Sequence, residues 1–161
     1  MSREAVIAEA VTWLGTPYHH HGRIKGVGAD CAMFPVEVYA AAGILAQDPD
    51  IGPYPAQWHL HHDEERYLAA VRLRAAEIDG PPSPGDFAVW KFGRCFSHGG
   101  IVIAWPRIIH ALMGVGVVLD DAAINQTFRH ADGSPREVRF FSLFGEEPTA
   151  YSQQPKSEDI S

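Results

Sequence analysis

Two cysteines in 161 residues, Cys31 and Cys95, are too few for a disulfide framework. They can pair with each other, but nothing in the sequence demands it. Basic residues are also scarce: 13 Lys and Arg stand against 20 Asp and Glu, a formal net charge of −7. Without a stripe of cations to neutralise phosphates, the chain does not read as a nucleic-acid binder. No apolar run approaches the roughly 20 residues of a membrane span. The opening Met1-Ser2-Arg3-Glu4 lacks the basic and then apolar regions of a secretory signal. The expectation is synthesis in the cytoplasm, with another delivery route for any role outside it. No internal repeat is present. What is left is a soluble globular composition, 46% apolar and 20% charged, at a length that suits one domain.

The first half of the chain reads as helical. Val6, Ile7, Ala10, Val11 and Leu14 form a stripe over 3–14 that Gly15 ends. Thr16-Pro17-Tyr18 leads into a loop with three consecutive histidines, His19, His20 and His21. A second helix opens at Asp30-Cys31 and runs to about Ala42, with Gly43 as its stop. Pro35 removes one hydrogen bond from that helix, so either the regular ladder starts near Phe34 or the first turn is irregular. A loop rich in proline follows over 47–59. A third helix is predicted from about Leu60 to Ile78, with Asp63, Glu64 and Glu65 favouring its first turn.

Past Asp79-Gly80-Pro81-Pro82-Ser83-Pro84-Gly85 the pattern changes to short apolar or alternating runs. Strands are predicted at Asp86–Phe92, Gly99–Trp105, Ile108–Met113, Gly116–Leu119 and Arg136–Phe144. Trp105-Pro106-Arg107 reads as a tight connection between antiparallel neighbours. Helices first and antiparallel strands second make an α+β fold in one domain over 1–148. Residues 149–161, rich in Ser, Gln and Pro, read as a flexible tail.

Chemistry centres on Gly28-Ala29-Asp30-Cys31, where a glycine-rich loop hands over to a helix. A thiol there meets the positive end of the helix dipole and unpaired amides, which lower a thiol's pKa and can hold an oxyanion. Alone, Cys31 is equally a small buried hydrophobe. A nucleophile needs a base and a group to orient that base. His98 opens an apolar strand and can sit on a cleft rim. His110 lies inside the next strand, where burial requires a hydrogen-bond partner. A hairpin through Trp105-Pro106 would bring the two histidines together. Cys95 reads as a filler, and Asp86 as the cap or turn of the first strand. The histidines at 19–21 and at 59, 61 and 62 lack the His-Glu-x-x-His spacing of a metal site, and they read as solvated loop residues.

Pro17-Tyr18, Gly28-Ala29-Asp30-Cys31, Pro84-Gly85-Asp86, Ser97-His98-Gly99-Gly100-Ile101-Val102 and Ile109-His110-Ala111 fall in an order that resembles the NlpC-type cysteine peptidases. The Trp58-His59-Leu60-His61 region and the missing signal resemble the branch found in phages and gene-transfer agents. The resemblance implies a papain-like fold, helices packed on an antiparallel sheet, and hydrolysis of cell-wall peptides without a cofactor or metal. It implies Cys31 as nucleophile, His98 as base and His110 as third member, with the Tyr18 hydroxyl and the Cys31 amide serving the oxyanion. The partners implied are peptidoglycan stem peptides, cleaved at the γ-D-glutamyl bond to the diamino acid, and proteins of a phage-tail or gene-transfer particle. The chain departs from the family's Asp-Cys-Ser-Gly at Ala32 and Met33, with Pro35 close behind. Two other readings use the same residues: a non-catalytic component of such a particle, and a thiol acyltransferase.

Overall fold

The computed structural model describes residues 1–47, 50–54 and 65–145. The expectations placed on 55–64, including the Trp58–His61 resemblance and the start of the third helix, lie outside the described residues, as does the tail. Along the chain run α1 (Arg3–Thr12), β1 (Arg23–Ile24), β2 (Gly28–Ala29), α2 (Met33–Ala41), α3 (Arg66–Arg72), β3 (Ala76–Ile78), β4 (Phe87–Phe92), β5 (Cys95–Ala104), β6 (Arg107–Leu112), β7 (Gly116–Asp121) and β8 (Val138–Ser142). The fold is α+β, as the sequence predicts. Strands β3-β8-β4-β5-β6-β7 form one antiparallel sheet, and β1 and β2 a small separate ribbon. Among the described residues no helix is long and apolar enough to cross a membrane.

Ser2 opens α1 by accepting the Ala5 amide on its hydroxyl. Of the predicted stripe only Val6 and Ala10 are buried, continued by Trp13 edge-on to Phe34, while Val11 and Leu14 face water. The helix therefore meets its neighbour along i, i+4, i+7 rather than the wider stripe. Four alternating residues of β4 divide the interior. Phe87 and Val89 join the helix-side core, and Ala88 and Trp90 join a second core on the opposite face with Val102, Ile108 and Phe128.

Of the element boundaries that differ from the sequence prediction, three bear most on the sheet. Ala76–Ile78 is a strand rather than the end of a helix, because it pairs with Ser142–Phe140 at the sheet edge. Tertiary pairing overrides its weak helical periodicity. Strand β5 begins at Cys95, so His98 lies within it and not at its start. Strand β7 extends past Leu119 to Asp121.

Pro35 is accommodated by a contact from far along the chain. The helical turn begins with the Phe34 amide donating to the Asp30 carbonyl, 3.0 Å. The next amide, the one proline lacks, would have reached the Cys31 carbonyl. That carbonyl instead accepts the Tyr67 hydroxyl at 2.9 Å. Glu65, just before α3, accepts the Phe96 amide of β5 at 2.9 Å. The start of α3 thus ties the Cys31 turn to the strand that carries His98.

Tyr67 reaches that position only because residue 99 has no side chain. A Cβ on Gly99 would overlap the Phe87 ring and the Tyr67 hydroxyl. Gly99→Ala is expected to cost about 2 kcal/mol or more from overpacking, read as a drop in melting temperature of roughly 5 °C or more. A melting curve superimposable on wild type would show that this contact is slack.

Candidate active site

Cys31 lies in the turn Asp30–Ala32, immediately before α2, held there by Asp30. One carboxylate oxygen of Asp30 accepts the amides of Ala32 (3.1 Å) and Met33 (2.8 Å), a helix-capping arrangement. The other accepts the His21 amide (2.8 Å) and the Tyr54 hydroxyl (2.6 Å). His21 also meets the Tyr54 carbonyl through its ring at 3.0 Å, and lies tilted against His20 with ring centres 3.7 Å apart. Two of the three loop histidines are therefore part of the framework around Asp30 and not simply solvated. Among the described residues, no group of three or more His, Cys, Asp or Glu side chains converges as metal ligands would.

Tyr18 is placed beside Cys31 by a parallel bridge to Ala29 and by the bonds His19 N–H to Ala29 O and Ala29 N–H to Pro17 O, each 3.0 Å. Its hydroxyl lies close enough to Cys31 for the thiol and the amide both to act on it. Burial and the neighbouring Cys31 and Asp30 push the phenol up, so it stays a donor. The structure thus brings the two proposed oxyanion donors to one place.

The thiol itself differs from expectation. Burial, then the Asp30 carboxylate, push Cys31 up to about 12, against the lowering that a helix start suggests. Cys31 precedes α2 instead of heading it, and its Sγ donates to the Ser97 carbonyl at 3.8 Å. Desolvation of the charged form outweighs the amide and Tyr18 contacts that favour it. In this state Cys31 is a protonated thiol. Cys31 and Cys95 are not joined in a disulfide.

His98 follows Ser97 directly, so a single residue of backbone separates the thiol's partner from the imidazole. The β4–β5 pairing shifts register here, from Trp90↔His98 to Lys91↔Phe96, leaving Ser97 as the extra residue of a bulge. His98 lies across from Trp90, and its ring packs near Phe92 and Phe128 of the second core, with centres 5.3 and 6.3 Å away. Its Nε2 is 2.7 Å from His110 Nδ1. The hairpin contact between the two histidines is therefore present. His110 is fully buried, and burial pulls it down, which keeps the ring neutral.

One partner was missed by sequence reasoning. His110 Nε2 lies 2.6 Å from Asp120 Oδ2. The readable signal was an acid interrupting the strand that follows His110, two residues past Val118, on the same face by the period of two. The role of Tyr67 had no local signal.

Comparison of folds finds similar solved structures, among them two NlpC/p60 proteins. One is the NlpC/p60 domain of the peptidoglycan hydrolase SagA, with a TM-score of 0.57 and 22% identity over 88% of this chain and 99% of that one. The other is an NlpC/p60 family protein from Bacillus cereus ATCC 10987, with a TM-score of 0.55 and 21% identity over 75% of this chain; the match spans 35% of that longer protein. At these identities the likeness is one of fold, and it is the papain-like arrangement the sequence predicts. No protein-family model and no curated protein matches the sequence.

Proposed function

We propose that this chain is a cysteine peptidase acting on the stem peptides of peptidoglycan. The observation that carries the reading is the bond from the Cys31 thiol to the carbonyl of Ser97, the residue before His98, whose ring meets His110, in a fold shared with a peptidoglycan hydrolase domain.

Because the resting thiol is protonated, the nucleophile forms when the substrate arrives. Cys31 passes its proton to the His98 nitrogen that His110 does not use, and Sγ attacks the carbonyl carbon. The oxyanion takes the Cys31 amide and the Tyr18 hydroxyl. His98 returns the proton to the departing amine. Water, deprotonated by the same ring, then releases the acyl group and restores the thiol. By its motifs we assign the γ-D-glutamyl bond to the diamino acid. The acidic chain has no attraction of its own for an anionic wall, so we assign delivery to a phage-like particle.

Purified sacculi and defined stem peptides test the reading. Hydrolysis yields a free carboxylic acid and a free amine that together weigh one water more than the substrate. Transfer to a supplied amine with no water-addition product would replace the peptidase by an acyltransferase. Intact substrate after prolonged incubation would remove both.

A further inference from the structure

The peptidase reading asks His98 to accept a proton, and this requires a lone pair on the ring nitrogen that does not face His110. Neutral imidazole has one N–H and one lone pair, and either nitrogen can carry either. His98 and His110 by themselves do not settle the choice. The bond between His98 Nε2 and His110 Nδ1 can run in either direction, with the 2.7 Å separation unchanged. Run one way, His98 carries its proton on Nε2 and presents a lone pair at Nδ1. Run the other way, it carries the proton on Nδ1 and cannot serve as a base there.

The third position in this chain of hydrogen bonds decides it. Asp120 sits across β6 from Ile108, while His110 sits across from Val118, so the carboxylate reaches His110 on the diagonal of the β6–β7 pair. Its Oδ2 is 2.6 Å from His110 Nε2. A carboxylate only accepts hydrogen bonds, unlike an amide, a hydroxyl or water, each of which can do both. The proton must therefore be on His110 Nε2. With that ring neutral, Nδ1 is an acceptor, and His98 must donate to it from Nε2. His110 has no solvent exposure, so water does not offer the ring a competing partner. The Asp120 side chain is only 21% exposed.

We propose that Asp120 is a positioning residue that sets the proton order of the whole relay, Asp120 to His110 to His98, and so leaves Nδ1 of His98 as the basic nitrogen. This deepens the peptidase reading and rests on it for its catalytic consequence. The proton order itself does not depend on any substrate. When His98 takes the Cys31 proton on Nδ1, its Nε2–H continues to donate to His110. The new positive charge then lies at the end of a chain that terminates in a carboxylate. No proton needs to reach Asp120 for this to work.

The direct measurement is the tautomer of each ring, by long-range proton–nitrogen correlation NMR on protein carrying nitrogen-15 histidine. In the wild type at neutral pH, His98 and His110 are both expected in the Nε2–H form. Asp120→Asn keeps the shape but offers an amide that can donate, so Nδ1–H forms of His98 and His110 are expected to appear. Asp120→Ala removes the acceptor and should likewise mix the forms. Against a stem peptide that the wild type cleaves, both variants should lose roughly 100-fold or more in kcat with KM changed less than about threefold. Asp120→Glu, again acceptor-only, should retain the Nε2–H forms and recover part of kcat, and it carries the comparison if the Asn variant folds poorly. An Nδ1–H form of His98 in the wild type overturns the proposal. So do tautomers and kcat unchanged in both Asn and Ala variants. If the wild-type rings are in the expected order but no stem peptide is cleaved, the peptidase reading falls and the proton order stands.

Discussion

Replacing Cys31 with alanine is expected to reduce stem-peptide cleavage to background, a loss on the order of 10⁴-fold or more. Among the described residues Cys31 is the thiol of the Asp30–Ala32 turn, and without it the remaining donors can bind a substrate but not break it. The same substitution should barely disturb the fold. The Cys31 backbone keeps its Tyr67 and Tyr18 contacts, and the truncated side chain is small, so a stability change of about 1 kcal/mol is expected. This contrast separates the enzyme from a silent component of a particle. If Cys31→Ala protein cleaves as fast as wild type, or if particle function survives it unchanged, Cys31 is a structural thiol and the proposed function is lost.

Asp30→Ala should have the largest effect on stability. Its carboxylate accepts four donors: the Ala32, Met33 and His21 amides and the Tyr54 hydroxyl. All converge on a side chain that is almost completely buried. A buried donor left without a partner costs about 1–3 kcal/mol, and the four are coupled, so a net loss of about 4 kcal/mol is reasonable. That is a large share of the roughly 5–15 kcal/mol that holds a domain folded. A urea midpoint would show it. Asp30→Asn should lose less, because one amide oxygen still accepts, while its NH₂ opposes either the helix-cap amides or the His21 amide.

The Asn variant also gives a test in which two observables move in opposite directions. Asp30 is one of the causes holding Cys31 up at about 12. In wild type, alkylation of the thiol by iodoacetamide should climb about tenfold per pH unit between roughly pH 7 and 9 without levelling, since the thiolate fraction does. Removing the carboxylate's charge favours the thiolate, so in Asp30→Asn the profile should bend at lower pH, even as the protein loses stability. A wild-type plateau beginning in acid would mean that a preformed thiolate is present, and the resting-state description above would be wrong.

Much of the site was legible because its signals are local. Gly28-Ala29-Asp30-Cys31 marks a loop entering a helix by turn chemistry alone, and Ser97-His98 and Ile109-His110 are flagged as polar rings within apolar strands. The meeting of the two histidines followed from one short connection at Trp105-Pro106. The helix predicted through Ile78 failed because three residues with weak periodicity were taken by an edge pairing to Phe140–Ser142. Pro35 looked like a fault in α2 from the sequence. In the structure it vacates a carbonyl that Tyr67 fills from 36 residues away.

The sequence by itself determined the order of helices and strands, the two-part α+β layout, and the identities of the thiol, the phenol and the two imidazoles. These depend on periodicity, breakers and side-chain chemistry, which act over a few residues. Only the tertiary structure decided the protonation of the thiol and the direction of the hydrogen bonds around the histidines. Burial and the neighbouring carboxylate, not the helix start, govern Cys31, because desolvation is a property of everything packed around a group. The carboxylate that orders His110 and His98 is set by strand register, which a single-residue slip would have turned to the other face of the sheet.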